Sequence, residues 1–112
     1  MKKVEMVIRP EMMEKVKAIV ESVGAGGMTV SSVLGCGAQK GKKEVYRGTE
    51  MIINLLHKLK IEVVVPDNMV DKLIDATIEG IKTGEVGDGK IFVIPIENAV
   101  RVRTGEKGDV AL

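Results

Sequence analysis

Thr83-Gly84-Glu85-Val86-Gly87-Asp88-Gly89-Lys90 runs straight into Ile91-Phe92-Val93-Ile94-Pro95-Ile96, an apolar stretch of β character. Glycine permits φ > 0 and lets backbone N–H groups approach a ligand closely. Successive amides in such a turn form an anion-binding concavity, and Lys90 adds a point charge beside it. That chemistry suits a phosphate cradle. Gly84 to Lys90 also spells G-x-x-x-x-G-K. Residue 91 is Ile, however, which offers no hydroxyl to Mg²⁺, and a strand follows where a P-loop needs a helix. A Walker A motif is excluded. The loop taken alone stays open to two readings, a cradle for phosphate or a plain Gly-rich turn with a solvated lysine.

Few other residues could do chemistry. Cys36 and His57 are the only cysteine and the only histidine, and neither has a partner nearby in sequence. That leaves no evident base–nucleophile pair and argues against a dedicated transition-metal site. One cysteine excludes an intramolecular disulfide, so a reducing cytoplasm is the expected setting. With one Phe, one Tyr and no Trp, the core must be Val, Ile, Leu and Met. Stacking of nucleic-acid bases on aromatic rings is then not expected. A net charge of +1 gives no basic footprint for nucleic acid or for a membrane surface. No apolar run approaches the roughly 20 residues of a membrane span. The apolar stretch before Arg9 is too short for a signal peptide. Length and composition fit one globular domain over 1–112.

The elements that must position the loop come from an internal repeat. Lys3-Val4-Glu5-Met6-Val7-Ile8 matches Lys60-Ile61-Glu62-Val63-Val64-Val65, and at the same offset Met12-Met13-Glu14-Lys15-Val16 meets Met69-Val70-Asp71-Lys72-Leu73. Each copy reads as a β-branched strand, a proline-containing break and an amphipathic helix. Met13, Val16, Ile19, Val20 and Val23 share one helical face; Val70, Leu73, Ile74, Ile78 and Ile81 share another. Pro10 suits a first helical turn, and Asp67 after Pro66 is an expected N-cap. Further strands are expected at Met28–Leu34 and Ile91–Ile96. Two such halves predict an α+β fold, the ferredoxin-like βαββαβ sandwich of an antiparallel four-stranded sheet and two helices. Its second sheet face needs a cover, and self-association in a closed ring would supply one.

Gly37 to Leu55, between the halves, is long for a connection in so small a domain. Lys40, Lys42, Lys43, Glu44, Arg47 and Glu50 predict an exposed, mobile segment, while Tyr46, Met51, Ile52 and Ile53 offer apolar anchors. Insertions of this length are usually binding loops or linkers, and a partner-binding loop is expected here.

Together these pieces resemble the PII nitrogen-regulatory signal transducers, over nearly the whole chain. Lys2-Lys3-Val4-Glu5 with Ile8-Arg9-Pro10, and then Gly27-Met28-Thr29-Val30, follow the family's first half. Gln39-Lys40-Gly41 and Tyr46-Arg47-Gly48 resemble the start and tip of its long T-loop, about 37–55. Lys58 with Lys60 to Val65 resembles the strand that leaves it. Thr83-x-x-x-Gly87-Asp88-Gly89-Lys90-Ile91-Phe92-Val93 fits a highly specific signature, and Arg101-Val102-Arg103-Thr104-Gly105-Glu106 its C-terminal segment.

The resemblance implies a homotrimer with nucleotide sites between subunits, where ATP and ADP compete and 2-oxoglutarate binds beside Mg-ATP. It implies a regulator and not an enzyme. Targets gripped by the T-loop would be an ammonium channel, glutamine synthetase, modifying enzymes or nitrogenase-related proteins; a membrane would be met only through such a partner. By position, Gly87, Asp88, Gly89 and Lys90 would hold the phosphates, with Arg101 and Arg103 reaching them from the neighbouring subunit. Val7, Thr29, Gly35, Cys36, Gly37, Ala38, Glu62 and Val64 would line the nucleotide pocket. Gln39, Lys40, Gly41 and Lys58 would bind 2-oxoglutarate, the Gln39 oxygen also meeting Mg²⁺. Tyr46, Arg47, Gly48, Thr49, Glu50 and Met51 would form the partner-binding tip.

Four positions depart from the family pattern. Ala38 stands where arginine is frequent, Cys36 replaces a common basic residue, and His57 occupies a usual proline position. Met51 replaces the second tyrosine of the uridylylation motif and has no hydroxyl to modify. Two rival classes share the fold expectation, a slow ATPase using the same cleft and a binding module for a metal or another small ligand.

Overall fold

The computed structural model describes residues 1–37, 42–46, 49–53 and 55–112, the two inner segments by their backbone alone. Val4, Met6 and Ile8 alternate with Lys3, Glu5 and Val7, and β1 (Lys2–Ile8) buries the first set completely while the second stays half-buried. Period-two alternation of this kind gives a sheet one dry face and one open face. After Arg9 a 3-10 turn, Pro10–Met12, leads into α1 (Met13–Ser22). β2 (Thr29–Gly35) follows. β5 (Leu56–Val65) extends further than the predicted strand, and α2 (Val70–Ile81) and β6 (Gly89–Pro95) complete the second copy.

The four long strands form one sheet in the order β2-β5-β1-β6, every neighbour antiparallel. Each strand–helix–strand copy thereby interleaves with the other, which is the ferredoxin-like arrangement the repeat predicts. Val16, Val20 and Val23 of the first copy and Leu73 and Ile81 of the second are buried on one face, against Val4, Met6, Ile8, Ile61, Val63 and Val65.

Two helix details differ from the sequence reading. Ile78 is 45% exposed, and Thr77 takes the buried place beside it. Burying a hydroxyl is costly unless it is bonded. The Thr77 Oγ1 hydroxyl donates to the Leu73 carbonyl at 2.7 Å, which satisfies it within its own helix. Asp67 does not cap α2 with its side chain. A 3-10 turn, Asp67–Met69, intervenes, and the carboxylate takes the N-terminal amine at 2.9 Å and Lys2 at 3.3 Å.

The insertion carries secondary structure of its own. β3 (Lys42–Tyr46) and β4 (Thr49–Ile53) pair antiparallel, from Lys42 opposite Ile53 to Tyr46 opposite Thr49. Val45, Ile52 and Ile53 are β-branched, and two such runs a few residues apart favour a hairpin. The C-terminal segment doubles back, with Val100 bridged to Lys107 and the Arg101 amide bonded to the Glu106 carbonyl at 2.9 Å.

Candidate functional site

On the open sheet face the repeated Lys-x-Glu motif becomes reciprocal. Glu5 and Glu62 stand directly opposite in the β1–β5 register, a repulsive placement for two carboxylates. Each is met diagonally by the other copy's lysine, Lys3 to Glu62 at 3.1 Å and Lys60 to Glu5 at 3.8 Å. Two like charges are thus converted into two half-buried ion pairs.

At one end of this face the chain encloses a cavity of about 350 Å³, lined by Val7, Gly35, Cys36, Gly37, Leu56, Lys58, Val86, Gly87, Gly89, Lys90 and Phe92. Four elements contribute. The ends of β2 and the start of β5 supply one wall, Val7 of β1 the floor, and β6 with its preceding loop the other wall. Gly89 is required where β6 begins beside β1: its φ is +121°, and a Cβ there would lie 2.2 Å from the Val7 carbonyl oxygen. Only glycine fits both the dihedral and the space.

Cations dominate the polar side of the cavity. Lys58 Nζ donates to the Gly87 carbonyl at 3.2 Å, and Arg9 Nη2 donates to the adjacent Val86 carbonyl at 2.8 Å. Burial lowers the pKa of the Lys58 ammonium, the nearby Arg9 charge lowers it further, and Glu11 opposes both. Lys58 on one wall and Lys90 on the other, with no carboxylate among the described lining residues, favour an anion between them. Arg9 was not among the candidates drawn from the sequence. The Ile8-Arg9-Pro10 motif marked its position, but its reach to a loop 77 residues later belongs to the fold.

Of the residues singled out from the sequence, Val7, Gly35, Cys36, Gly37, Lys58, Gly87, Gly89 and Lys90 meet around this one cavity. Thr29, Glu62 and Val64 lie on the same sheet face but beyond its lining, Thr29 and Glu62 directly opposite one another. Asp88 is not among the residues that line this cavity. Its carboxylate turns back to accept from the Thr83 amide at 2.7 Å, the Gly84 amide at 2.9 Å and the Thr83 hydroxyl. It faces a second cavity of about 410 Å³ on the helix side, with Ile74, Ile78 and Lys82. Its negative charge therefore is not presented where the phosphate cradle was expected, because the loop's own amides satisfy it. The Thr83 side chain's hydrogen bond is the first cause that draws the Asp88 carboxyl below the usual carboxylate range.

Arg101 is engaged within its own chain, donating to Glu106 at 2.8 Å and to the Val110 carbonyl at 3.1 Å; Arg103 is exposed in the following turn. Neither lines the cavity of its own chain. Ala38, Gln39, Lys40, Gly41, Arg47 and Gly48 lie outside the described residues, as do the side chains of Tyr46, Thr49, Glu50 and Met51. Among the described residues there is no cluster of three or more His, Cys, Asp or Glu side chains able to hold a metal ion. Among them, too, no helix is long and apolar enough to cross a membrane.

Comparison with known proteins extends these observations. The family profile described as "Nitrogen regulatory protein P-II" matches residues 1–106. Proteins named "Nitrogen regulatory protein P-II" from Microchaete diplosiphon and Haemophilus influenzae are 53% and 48% identical over all 112 residues, covering each chain fully. "Nitrogen regulatory protein P-II 1" of Escherichia coli is 46% identical over the same span. Among solved structures, the one titled "Structure of B. subtilis GlnK" superposes with a TM-score of 0.81 at 45% identity, over 99% of this chain and 97% of that one.

Proposed function

The chain belongs to the nitrogen regulatory protein P-II family, whose members are signalling proteins and not enzymes, and on that premise we propose that it senses adenine nucleotides and 2-oxoglutarate. The observation that carries the reading is the cationic cavity beneath the Gly87–Lys90 loop. Its volume, about 350 Å³, lies at the small end of the range typical of ligand sites, about 300–1,000 Å³. A neighbouring subunit would complete it.

In this reading Gly87, Gly89 and Lys90 hold the phosphates of ATP or ADP, joined by Arg101 and Arg103 of an adjacent protomer in a homotrimer. Arginine suits that task because its planar fork of donors matches phosphate oxygens. Val7, Gly35, Cys36 and Gly37 form the near wall; Thr29, Ala38, Glu62 and Val64 extend it. Lys58, already desolvated beside Arg9, pairs with a carboxylate of 2-oxoglutarate near Gln39, Lys40 and Gly41. The Gln39 oxygen is a suitable neutral donor to Mg²⁺. The 37–55 segment, rooted at this cavity, then carries ligand state to target proteins. An ammonium channel, glutamine synthetase or nitrogenase-related proteins are the proposed targets. A ligand shifts such a segment only through its differential affinity for each conformation.

Calorimetry tests the site. Lys90→Ala should weaken ATP by about tenfold or more, as expected for loss of a charge-assisted phosphate contact. 2-Oxoglutarate should bind only with Mg-ATP present and should tighten ATP by the same factor in return. Unchanged ATP affinity in Lys90→Ala would remove the phosphate assignment. Light scattering that gives any mass other than three chains would remove the trimer.

A further inference from the structure

Asp88 poses a problem for a phosphate site. A carboxylate within the sequence Gly87-Asp88-Gly89-Lys90 adds the wrong sign of charge beside a polyphosphate. Electrostatics alone therefore says that removing it should tighten nucleotide binding. The geometry argues the opposite. One carboxylate oxygen accepts from the amides of Thr83 and Gly84, at 2.7 and 2.9 Å. The other accepts from the Thr83 hydroxyl and lies 3.7 Å from Arg9 Nε, a buried nitrogen with no hydrogen-bond partner among the described residues. Thr83 Oγ1 in turn accepts from the Glu85 amide at 3.1 Å, and Arg9 fixes the Val86 carbonyl.

Every residue from Thr83 to Val86 is thus tied, directly or through one link, to Asp88 or Arg9. The two amides at the end of α2 that could have bound an external anion are occupied by the chain's own. We propose that Asp88 is a positioning residue: with Thr83 and Arg9 it sets the 83–88 turn so that Gly87, Gly89 and Lys90 are presented to the 350 Å³ cavity before any ligand arrives. Preorganisation of this kind raises affinity by removing the cost of ordering the loop on binding. The low carboxyl pKa fits the role, since a collar of donors stabilises the ionised form.

This inference rests on the proposed nucleotide site, and its test separates the two. In the ligand-free full-length protein, hydrogen exchange at the Thr83 and Gly84 amides should lose protection in Asp88→Ala and keep most of it in Asp88→Asn, whose side-chain carbonyl can still accept both bonds. ATP affinity should fall about tenfold or more in Asp88→Ala and recover most of that loss in Asp88→Asn. Thr83→Val should weaken ATP several-fold and Thr83→Ser hardly at all, an independent pair should Asp88→Ala fail to fold. Equal or tighter ATP binding in both Asp88 variants would overturn the proposal, because removal of charge would then be the whole effect. If the unaltered protein binds no ATP, the proposed function fails, and the exchange measurement still decides the brace. Retained protection in Asp88→Ala refutes it; lost protection upholds it.

Discussion

The turns that follow the two helices occupy equivalent places in the repeat, yet they are closed by different means. After α1 backbone amides close the turn, with the Ser22 hydroxyl adding a bond to the Ile19 carbonyl at 2.8 Å within the last helical turn. The Ala25 amide bonds back to the Val20 carbonyl at 3.2 Å and the Gly24 amide to Glu21 at 3.1 Å, with Gly24 at φ +84°. This is a Schellman closure, in which glycine takes the left-handed position. The C-terminal Leu112 then lies against Gly26. After α2 the Lys82 amide still bonds to Ile78, but the next two amides go to the Asp88 carboxylate. A backbone closure needs no charge and leaves a compact corner. A side-chain closure holds a longer loop open beside three cations, Arg9, Lys58 and Lys90. The same architecture therefore yields a structural turn in one copy and a candidate ligand site in the other.

Glycine substitution should break this contrast most sharply. At Gly89 a Cβ would meet the Val7 carbonyl oxygen at 2.2 Å and the residue sits at φ +121°. Gly89→Ala should cost about 3 kcal/mol or more in chemical denaturation, since strained dihedral and backbone clash add. At Gly26 a Cβ would meet the Leu112 carbonyl carbon at 2.9 Å, a less severe approach than at Gly89, and no left-handed dihedral adds to it. Gly26→Ala should cost about 1 kcal/mol, and Gly27→Ala, with nothing within 4 Å, less than about 0.5 kcal/mol. A mild Gly89→Ala would mean that the β6 start is not held against β1 as described.

A smaller effect sharpens the comparison of the two strands. Breaking the tighter pair with Glu62→Gln should cost about 0.5–1 kcal/mol, and Glu5→Gln, whose lysine is 3.8 Å away, less. Both values are for half-exposed groups and should shrink in high salt. A double-mutant cycle across Lys3 and Glu62 measures the coupling directly. Equal costs for the two glutamates, unaffected by salt, would show that the pairs are not what separates them.

The smallest effect concerns the two proline breaks, since only the second is tied to the N-terminus. The hydrogen bond from the terminal amine is the first cause that holds Asp67 below its ordinary pKa, followed by that from Lys2. A carboxyl depressed in the folded state stabilises above its unfolded pKa, about 3.9, and loses that contribution as pH falls through the folded value. Asp67→Asn should lower the Tm slightly between pH 5 and 7, and the gap should close below about pH 4. A gap that widened in acid would contradict the pairing.

Sequence alone determined the elements and their faces. Alternation of Val4, Met6 and Ile8 with Lys3, Glu5 and Val7, helical spacing of Val16, Val20 and Val23, and the copied Lys-x-Glu and Met-x-x-Lys positions are local periodicities, legible without coordinates. They suffice for the sandwich and, with the Gly87–Lys90 signature, for the family. Of the cavity's lining, Gly87, Gly89 and Lys90 stood out by their glycine and lysine spacing, whereas Val7, Gly35, Cys36, Gly37 and Lys58 came only with the family resemblance. Tertiary structure decided the rest, wherever the answer depends on register or on partners distant in the chain. Choosing Thr77 over Ile78 for burial depends on how α2 rolls against the sheet, which spacing fixes only to within one residue. That Lys3 reaches Glu62 while Lys60 reaches Glu5 depends on the β1–β5 pairing. That Asp88 turns away from the cavity and Arg9 reaches across to the loop depends on the end of α2 meeting the end of β1. A side chain's direction is set by what surrounds it in space, and its sequence neighbours state only what it could do.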